Sequence, residues 1–490
     1  MMSLQSQSTG GPPRGPVDIV VENNRIKAIQ SAGTPGLPLP ANRQPRQSDF
    51  ELDATGMYLL PGFVDAHVHA GGAPKNSEAE YPYKLWMAHG ITTVRGVPLS
   101  TNSFTVKERE RSARNEIVAP RIFNYQRAGS GWNGGPVTNA ETAREWVRWA
   151  KSNGVDGLKL DSHPPEIMAA LLDEANKLGL GSTAHLSQVG VAQMNALDAA
   201  RLGLGTVTHY YGHFEALLKD YVVQPFPVEH NQVNEQDRFG QVARLWDKIY
   251  EPGSPEWKTY LKEQLQLVTV FDPTFVAYLA SRDVMRMRNA DWQEKYALPT
   301  LMDYYEANRA NHGSYYYNWT AWDEIAWKNF YQVWFKLVND YKRMGGRVTI
   351  GSDSGFIYNT YGFGTIQEME LFQEAGFHPL EIFQAATMNG ALTLQEPMGK
   401  PIEFGIVREG LLADMAIVDQ NPIENIKVLF GTGFPRLNEK TGRVERVGGI
   451  KWTIKDGIIY DAKKLLADVA RMVEKQKQER QKKATTSGAR

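Results

Sequence analysis

The chain contains no cysteine. Disulfides, iron–sulfur clusters and thiol catalysis are therefore excluded, and any metal must rest on His, Asp, Glu or a modified Lys. Zero cysteine leaves the compartment open, because oxidising and reducing ones tolerate it equally. Also missing is any uninterrupted apolar run approaching the ~20 residues a membrane helix needs, so no membrane partner is expected. Charge of one sign is not in excess either: 54 Lys and Arg face 55 Asp and Glu, a formal net charge of −1. That balance gives no reason to expect nucleic acid or anionic lipid as a partner. The opening MMSLQSQSTGGPPRGP is polar, Gly/Pro-rich and without an apolar signal core. Localisation is cytoplasmic by default, and periplasmic or secreted if a leader has been removed. The closing KQKQERQKKATTSGAR is charged and poor in apolar residues, and reads as a frayed helix end running into disorder.

What is present suffices for one large domain and a small companion, since the chain has 490 residues of which 42% are hydrophobic. Residues 15–60 read as short strands, with Asn23-Asn24 suited to a tight hairpin turn and a Pro-rich loop running through Pro40. Residues 61–395 alternate strand-like and helix-like stretches, the pattern of parallel α/β architecture. The strand candidates are GFVDAHVHA, GITTVRGV, PRIFNYQRA, VDGLKLD, LGSTAHL, GTVTHYY, LVTVFDPTFVA and RVTIGSDSG. Eight such units over roughly 250 residues or more predict a (β/α)₈ TIM-type barrel. Residues 396–465 return to strands, and 466–490 form the charged tail. A small β-sandwich-like domain built from both chain ends is the simplest reading, because neither end alone has enough core.

Insertions at about 211–265 and 276–343 interrupt the barrel pattern. The second is aromatic-rich, with Trp327, Phe330, Trp334, Phe335 and Val338 at helical spacing. That stripe reads as packing onto the barrel wall. The run Tyr315–Trp319 has no helical period, so a lid, a pocket wall or plain packing remain open for it.

His67-Val68-His69 is the sharpest local signal. Residues i and i+2 of a strand point to one face, so both imidazoles can reach one metal. The pair follows Pro61-Gly62 and precedes Gly71-Gly72, which leaves backbone room for a ligand. Lys159 sits inside an apolar strand, where an unpaired ammonium is costly to bury. His185 and His209 end the next two strands, and Asp353 ends the last. Each alone has a structural explanation. Together they fall toward the C-terminal ends of barrel strands, the face where barrel enzymes build their sites.

With these segments in place, the chain resembles the amidohydrolase superfamily, close to imidazolonepropionase-related proteins and carboxylated-lysine prolidases. The resemblance covers nearly the whole chain. It runs through GPVDIVVENNRIKAI, YLLPGFVDAHVHAGG, HGITTVRGV, GVDGLKLD, TIGSDSG, GIVREGLLADMAIVDQNPIENI and IKDGIIYD. It implies two divalent metals, zinc being the expected ion. His67, His69 and Asp353 would hold the more buried one, His185 and His209 the second, and an N6-carboxylated Lys159 would bridge them. An unmodified lysine, with a pKa of ~10.4, is protonated at neutral pH and no ligand. The implied reaction is hydrolysis of a C–N amide or peptide bond in a small-molecule substrate, by a metal-bridging hydroxide with Asp353 as general base and acid. Lactonase or phosphotriesterase-like chemistry, or a barrel that has lost catalysis, are the alternatives, and a homo-oligomer is left open.

Two stretches depart from the pattern. TVRGV lacks the acidic residue that relatives usually carry after Arg, and YYGHFEALLKD, after His209, differs from prolidases. In the latter, Tyr210 and His213 are candidate substrate contacts. His89, His163, His230, His312 and His378 read as structural or surface residues, His378 just before a helix.

Overall fold

The computed structural model describes residues 2–3, 15–31, 33 and 48–487. The Pro-rich loop through Pro40 and the last three residues lie outside them. Seven parallel strands follow one another in chain order: Phe63–Val68, Ile91–Gly96, Arg121–Arg127, Gly157–Leu160, Gly181–Ala184, Thr206–Thr208 and Val270–Asp272. The eighth candidate closes the ring without being a regular strand. Thr349 N–H donates to Phe271 O at 3.0 Å on one side, and Ala66 N–H donates to Ile350 O at 2.9 Å on the other. A Cβ built at Gly351 would stand 2.5 Å from Asp272 Oδ1 and 3.0 Å from His67 Cβ. Glycine is what lets this segment press between its neighbours. The molecule is thus a (β/α)₈ barrel.

Helices between the strands bury one stripe each. Ala140–Ser152 opens on an Asn139–Thr142 capping box and buries Ala143, Trp146, Val147 and Ala150, an i, i+3, i+4, i+7 set. The two aromatic-rich insertions contain barrel helices of their own, Pro255–Gln266 and Ala321–Arg343. The second buries Trp327, Phe330, Tyr331, Trp334, Phe335 and Val338, as packing of the stripe requires. Trp334 is fully buried, with Phe275 at 4.6 Å and Tyr210 at 5.4 Å between ring centroids. Trp334→Ala is expected to cost ~3–5 kcal/mol, read as a lowered unfolding midpoint by circular dichroism.

A second β layer joins both chain ends. Strand Tyr58–Pro61 pairs antiparallel with Met415–Val418, which pairs with Ile450–Lys455, which pairs with Ile458–Asp461. The hairpin Val17–Glu22/Arg25–Ser31, turning at Asn23 with φ 57°, is tied on by Ile26 N–H to Leu411 O and Ala413 N–H to Asn24 O. Ile26, Leu59, Met415, Ile417 and Ile454 form its core, drawn from segments hundreds of positions apart.

Read from the sequence as a frayed helix end running into disorder, the C-terminal segment is helical through Ser487 among the described residues, in helix Ala462–Ser487. It buries Leu465, Leu466, Val469 and Val473 and packs on helix Glu80–Ala88. Farther along, Gln476 accepts from Thr300 N at 2.9 Å, and Lys477 donates to Glu294 O at 2.8 Å. Polar anchors hold the part that apolar burial does not reach. Among the described residues no helix is long and apolar enough to cross a membrane.

Candidate metal centre

The six sequence-predicted ligands come together at the C-terminal ends of the strands, lining one cavity. His67 and His69 alternate along the end of the first strand and share a face. Their donor atoms and those of Asp353 lie within 4.8 Å of one another. Asp353 Oδ1 is 3.3 Å from His69 Nε2 and 3.8 Å from His67 Nε2, while Oδ2 is 3.8 Å from His209 Nε2. The rings of His185 and His209 stand 4.9 Å apart, and those of His67 and His209 5.1 Å apart.

Surrounding hydrogen bonds orient these imidazoles. His69 Nδ1 bonds to Pro98 O at 2.9 Å, which leaves Nε2 free toward Asp353. Thr274 donates its hydroxyl to Pro273 O at 2.6 Å, so its oxygen accepts from His209 Nδ1 and again leaves Nε2 as the free lone pair. Such outer contacts fix tautomer and ring orientation in metal sites. His209 and Asp353 both take left-handed backbone, φ 66° and 49°. Strain of ~1–3 kcal/mol per such residue persists only where the surroundings impose it. Here, Asp353 N–H donates to His67 O at 2.8 Å and His209 N–H to Asp272 O at 2.9 Å, pinning both.

Burial, with Lys159 close by, pushes His67 down to about 4, and burial holds His185 and His209 well below the ordinary histidine range. All three are neutral at pH 7, the form that ligates. Burial opposes ionisation of Asp353, but the surrounding imidazoles, His67 first, hold its carboxyl well below the usual range. Lys159 is buried on the fourth strand, and its Nζ has no hydrogen-bond partner. Burial lowers its amine to about 8. An orphaned buried amine facing neutral imidazoles and a carboxylate fits a divalent-metal site in which that lysine is modified or bound.

Sequence reasoning missed several residues here. Asp65 lies two positions before His67, on the same strand face, and that period could have exposed it. Its Oδ1 accepts from His67 N at 3.2 Å and Ser352 N at 2.9 Å, and Oδ2 accepts from Thr365 at 2.7 Å, clamping the first strand to the eighth segment and the helix after it. Asp272, at the end of the seventh strand, stands 3.6 Å from His67 Nδ1 and 2.8 Å from Arg95. The arginine of TVRGV therefore finds its acid across the barrel instead of in the next residue. Only the closed ring reveals that pairing.

The cavity has a volume of about 430 Å³. Tyr210 and His213, expected as substrate contacts, do not line it. Tyr210 is buried among Tyr278, Phe330 and Trp334, and His213 bonds to Tyr260 and packs on Phe271 at 4.4 Å. Tyr211, whose ring lies 4.4 Å from that of Tyr210, is the one that lines the cavity, its hydroxyl 3.0 Å from that of Tyr278. His312, read as structural or surface, is an exposed residue at the cavity lining, paired with Glu235. His89 is a core residue bonded to Leu85 O at 2.7 Å, and His378 caps helix Pro379–Ala386. Tyr315 is buried and stacks on Phe239 at 4.0 Å, so it backs a residue of the cavity wall.

No family model matches the chain. Dihydroorotase of Lactobacillus helveticus (strain DPC 4571) is 29% identical over 180 residues, covering 34% of this chain and 37% of that enzyme. Dihydroorotase of Trichlorobacter lovleyi is 25% identical over 232 residues, 44% of this chain and 50% of the other. Adenine deaminase of Nitratidesulfovibrio vulgaris (strain DP4) is 38% identical over 91 residues, 17% and 16% of the two chains. The chain thus matches half or less of the length of these relatives. Among solved structures, a Xaa-Pro dipeptidase with bound methionine superposes with a TM-score of 0.59 at 18% identity, covering 94% of this chain and 98% of that one. Bottromycin amidohydrolase gives 0.61 at 18% identity, covering 94% and 87%. At that identity the structural likeness speaks for the fold. Sequence relatives and shared fold together support the amidohydrolase superfamily as the class of this barrel.

Proposed function

We propose that this chain is a metal-dependent hydrolase of C–N bonds in small amides or peptides. The observation that carries the reading is the convergence of His67, His69, His185, His209, Lys159 and Asp353 on one cavity at the catalytic end of the barrel. The names of the similar proteins, dihydroorotase, adenine deaminase and Xaa-Pro dipeptidase, support the same bond type.

His67, His69 and Asp353 would hold one divalent cation, His185 and His209 a second, and a carboxylated Lys159 would join them. When bound, such cations lower the pKa of water and polarise a carbonyl. The chain's own residues do the rest. Asp353 is held ionised and is placed to take a proton from the attacking water at a carboxylate oxygen and to return it to the leaving nitrogen. Tyr211 and Tyr278 keep their hydroxyls protonated, since burial pushes Tyr211 up to about 12 and Tyr278 well above the ordinary range. The two hydroxyls bond to each other, so one of them donates to its neighbour and the proton of the second is left for an oxygen that gains charge. Val189, Phe239 and Phe356 supply apolar wall for the rest of the substrate.

Elemental analysis of protein purified without chelator is expected to give close to two divalent metals per chain, zinc foremost. Chelation should abolish activity and zinc should restore it. A steady value of one metal, or activity retained without any, would sink the two-metal reading. The substrate class is tested by a screen of N-acyl amino acids, dipeptides and lactones, in which lactones turned over alone would overturn C–N cleavage.

A further inference from the structure

We propose that Lys75 binds a carboxylate of the substrate, so that the cavity selects amides carrying a free acid group on the half that lies toward the mouth. The inference rests on the amide-hydrolase reading and names the substrate class within it. Four cationic side chains line the cavity: Lys75, Arg127, Lys159 and Arg238. Arg127 is closed on Asp161 by two contacts of 2.7 and 2.5 Å. Arg238 is closed on Glu235 at 2.8 Å. Lys159 belongs to the metal centre. Of the three cations outside the metal centre, Lys75 alone has no carboxylate in ion-pair distance among the described residues, Asp353 acting on it only through space.

Its environment is built, not incidental. Nζ donates to Gly355 O at 2.8 Å and stands 4.6 Å from the centroid of the Tyr304 ring. An ammonium has three donors, so two remain for whatever occupies the cavity. A half-buried ammonium with one carbonyl and one aromatic face is incompletely satisfied, and a ligand anion completes it. The residue follows the His67–His69 strand and is tied to the loop that follows Asp353, so the two loops carrying ligand candidates also carry this cation. One unneutralised charge matches a monoanion. A phosphate dianion would need more, and both arginines are already committed. Val189, Phe239 and Phe356, which line the same cavity, suit a carboxylate attached to an apolar side chain.

The test compares N-acetyl amino acids with apolar side chains against their primary amides, on zinc-loaded wild type, Lys75→Met and Lys75→Arg, reading acetate release. Wild type should prefer the acids by ~10-fold or more in kcat/KM, the range expected of a charged hydrogen bond. Lys75→Met should lose that preference through KM while leaving the amides within about twofold, and Lys75→Arg should recover part of it. Equal losses on acids and amides would overturn the proposal, since Lys75 would then act through Asp353 or the fold; so would no loss at all. Calorimetric binding of the same pairs separates this inference from the reaction. Preferential binding of the acids, lost in Lys75→Met, upholds the carboxylate site even if nothing is hydrolysed, and absence of any preference across the panel overturns it.

Discussion

Asp353→Asn should lower turnover by ~10²–10⁴ while substrate affinity stays near that of the wild type. The carboxylate is the one acidic group in the cavity lining, and it lies within 4 Å of three imidazoles: His69 at 3.3 Å, and His67 and His209 at 3.8 Å each. Asparagine keeps the shape and one oxygen, so the left-handed turn at φ 49° and the backbone bond to His67 O can persist; asparagine tolerates that conformation well. What it loses is the ability to accept a proton. Since the imidazoles hold the Asp353 carboxyl well below the usual range, the wild type has its base ionised across neutral pH. The deficit of the variant should therefore be nearly constant there instead of growing or shrinking with pH. The comparison is made at equal metal content, because lost metal would mimic a lost base. A fully loaded variant retaining more than about a tenth of wild-type turnover would show that the proton travels elsewhere.

Lys159→Ala should abolish most activity and most binding of a second metal, and at the same time leave the metal-free barrel as stable as before or more so. These two effects have one physical origin. The side chain is 1% exposed with Nζ unpartnered, so the metal-free protein carries an unsatisfied buried polar group. Such a group costs ~1–3 kcal/mol, against which alanine loses the packing of the aliphatic stem. Lys159→Met keeps the stem and should be the more stable of the two. Only the neutral amine can take up CO₂. With burial lowering the amine to about 8, roughly a tenth is neutral at pH 7, and the fraction rises with pH. Carboxylation, and the activity that depends on it, should thus increase with added bicarbonate and as pH is raised from 7 toward 8. A carbamate resonance in carbon-13 NMR after labelled bicarbonate, absent from Lys159→Met, is the direct measurement. If Lys159→Met keeps wild-type metal content and rate, the lysine bridges nothing.

The barrel and the six converging residues were legible in the sequence because both rest on local rules. Alternation of apolar strands and amphipathic helices fixes a parallel barrel, and a barrel strand delivers its last residues to one face. His67, His69, Lys159, His185, His209 and Asp353 each end or nearly end such a strand, so strand order alone brought them to the same rim. The hairpin at Asn23 and the helix start after His378 were readable for the same reason: each is a short-range backbone requirement met by neighbouring residues. Tertiary structure decided what depends on residues far apart in the chain. Whether Tyr210 or Tyr211 faces the cavity turns on one residue of phase in a segment without regular structure, and the aromatic layer beneath it, Phe330 and Trp334, settles that phase. The acid paired with Arg95 comes from the seventh strand, and the closure of the eighth segment depends on Gly351 passing between His67 and Asp272. Which cation stays unneutralised at the mouth depends on where Asp161 and Glu235 fall, and the docking of the last helix depends on partners such as Thr300. Local periodicity places a side chain on a face; only packing among distant segments determines what it meets there.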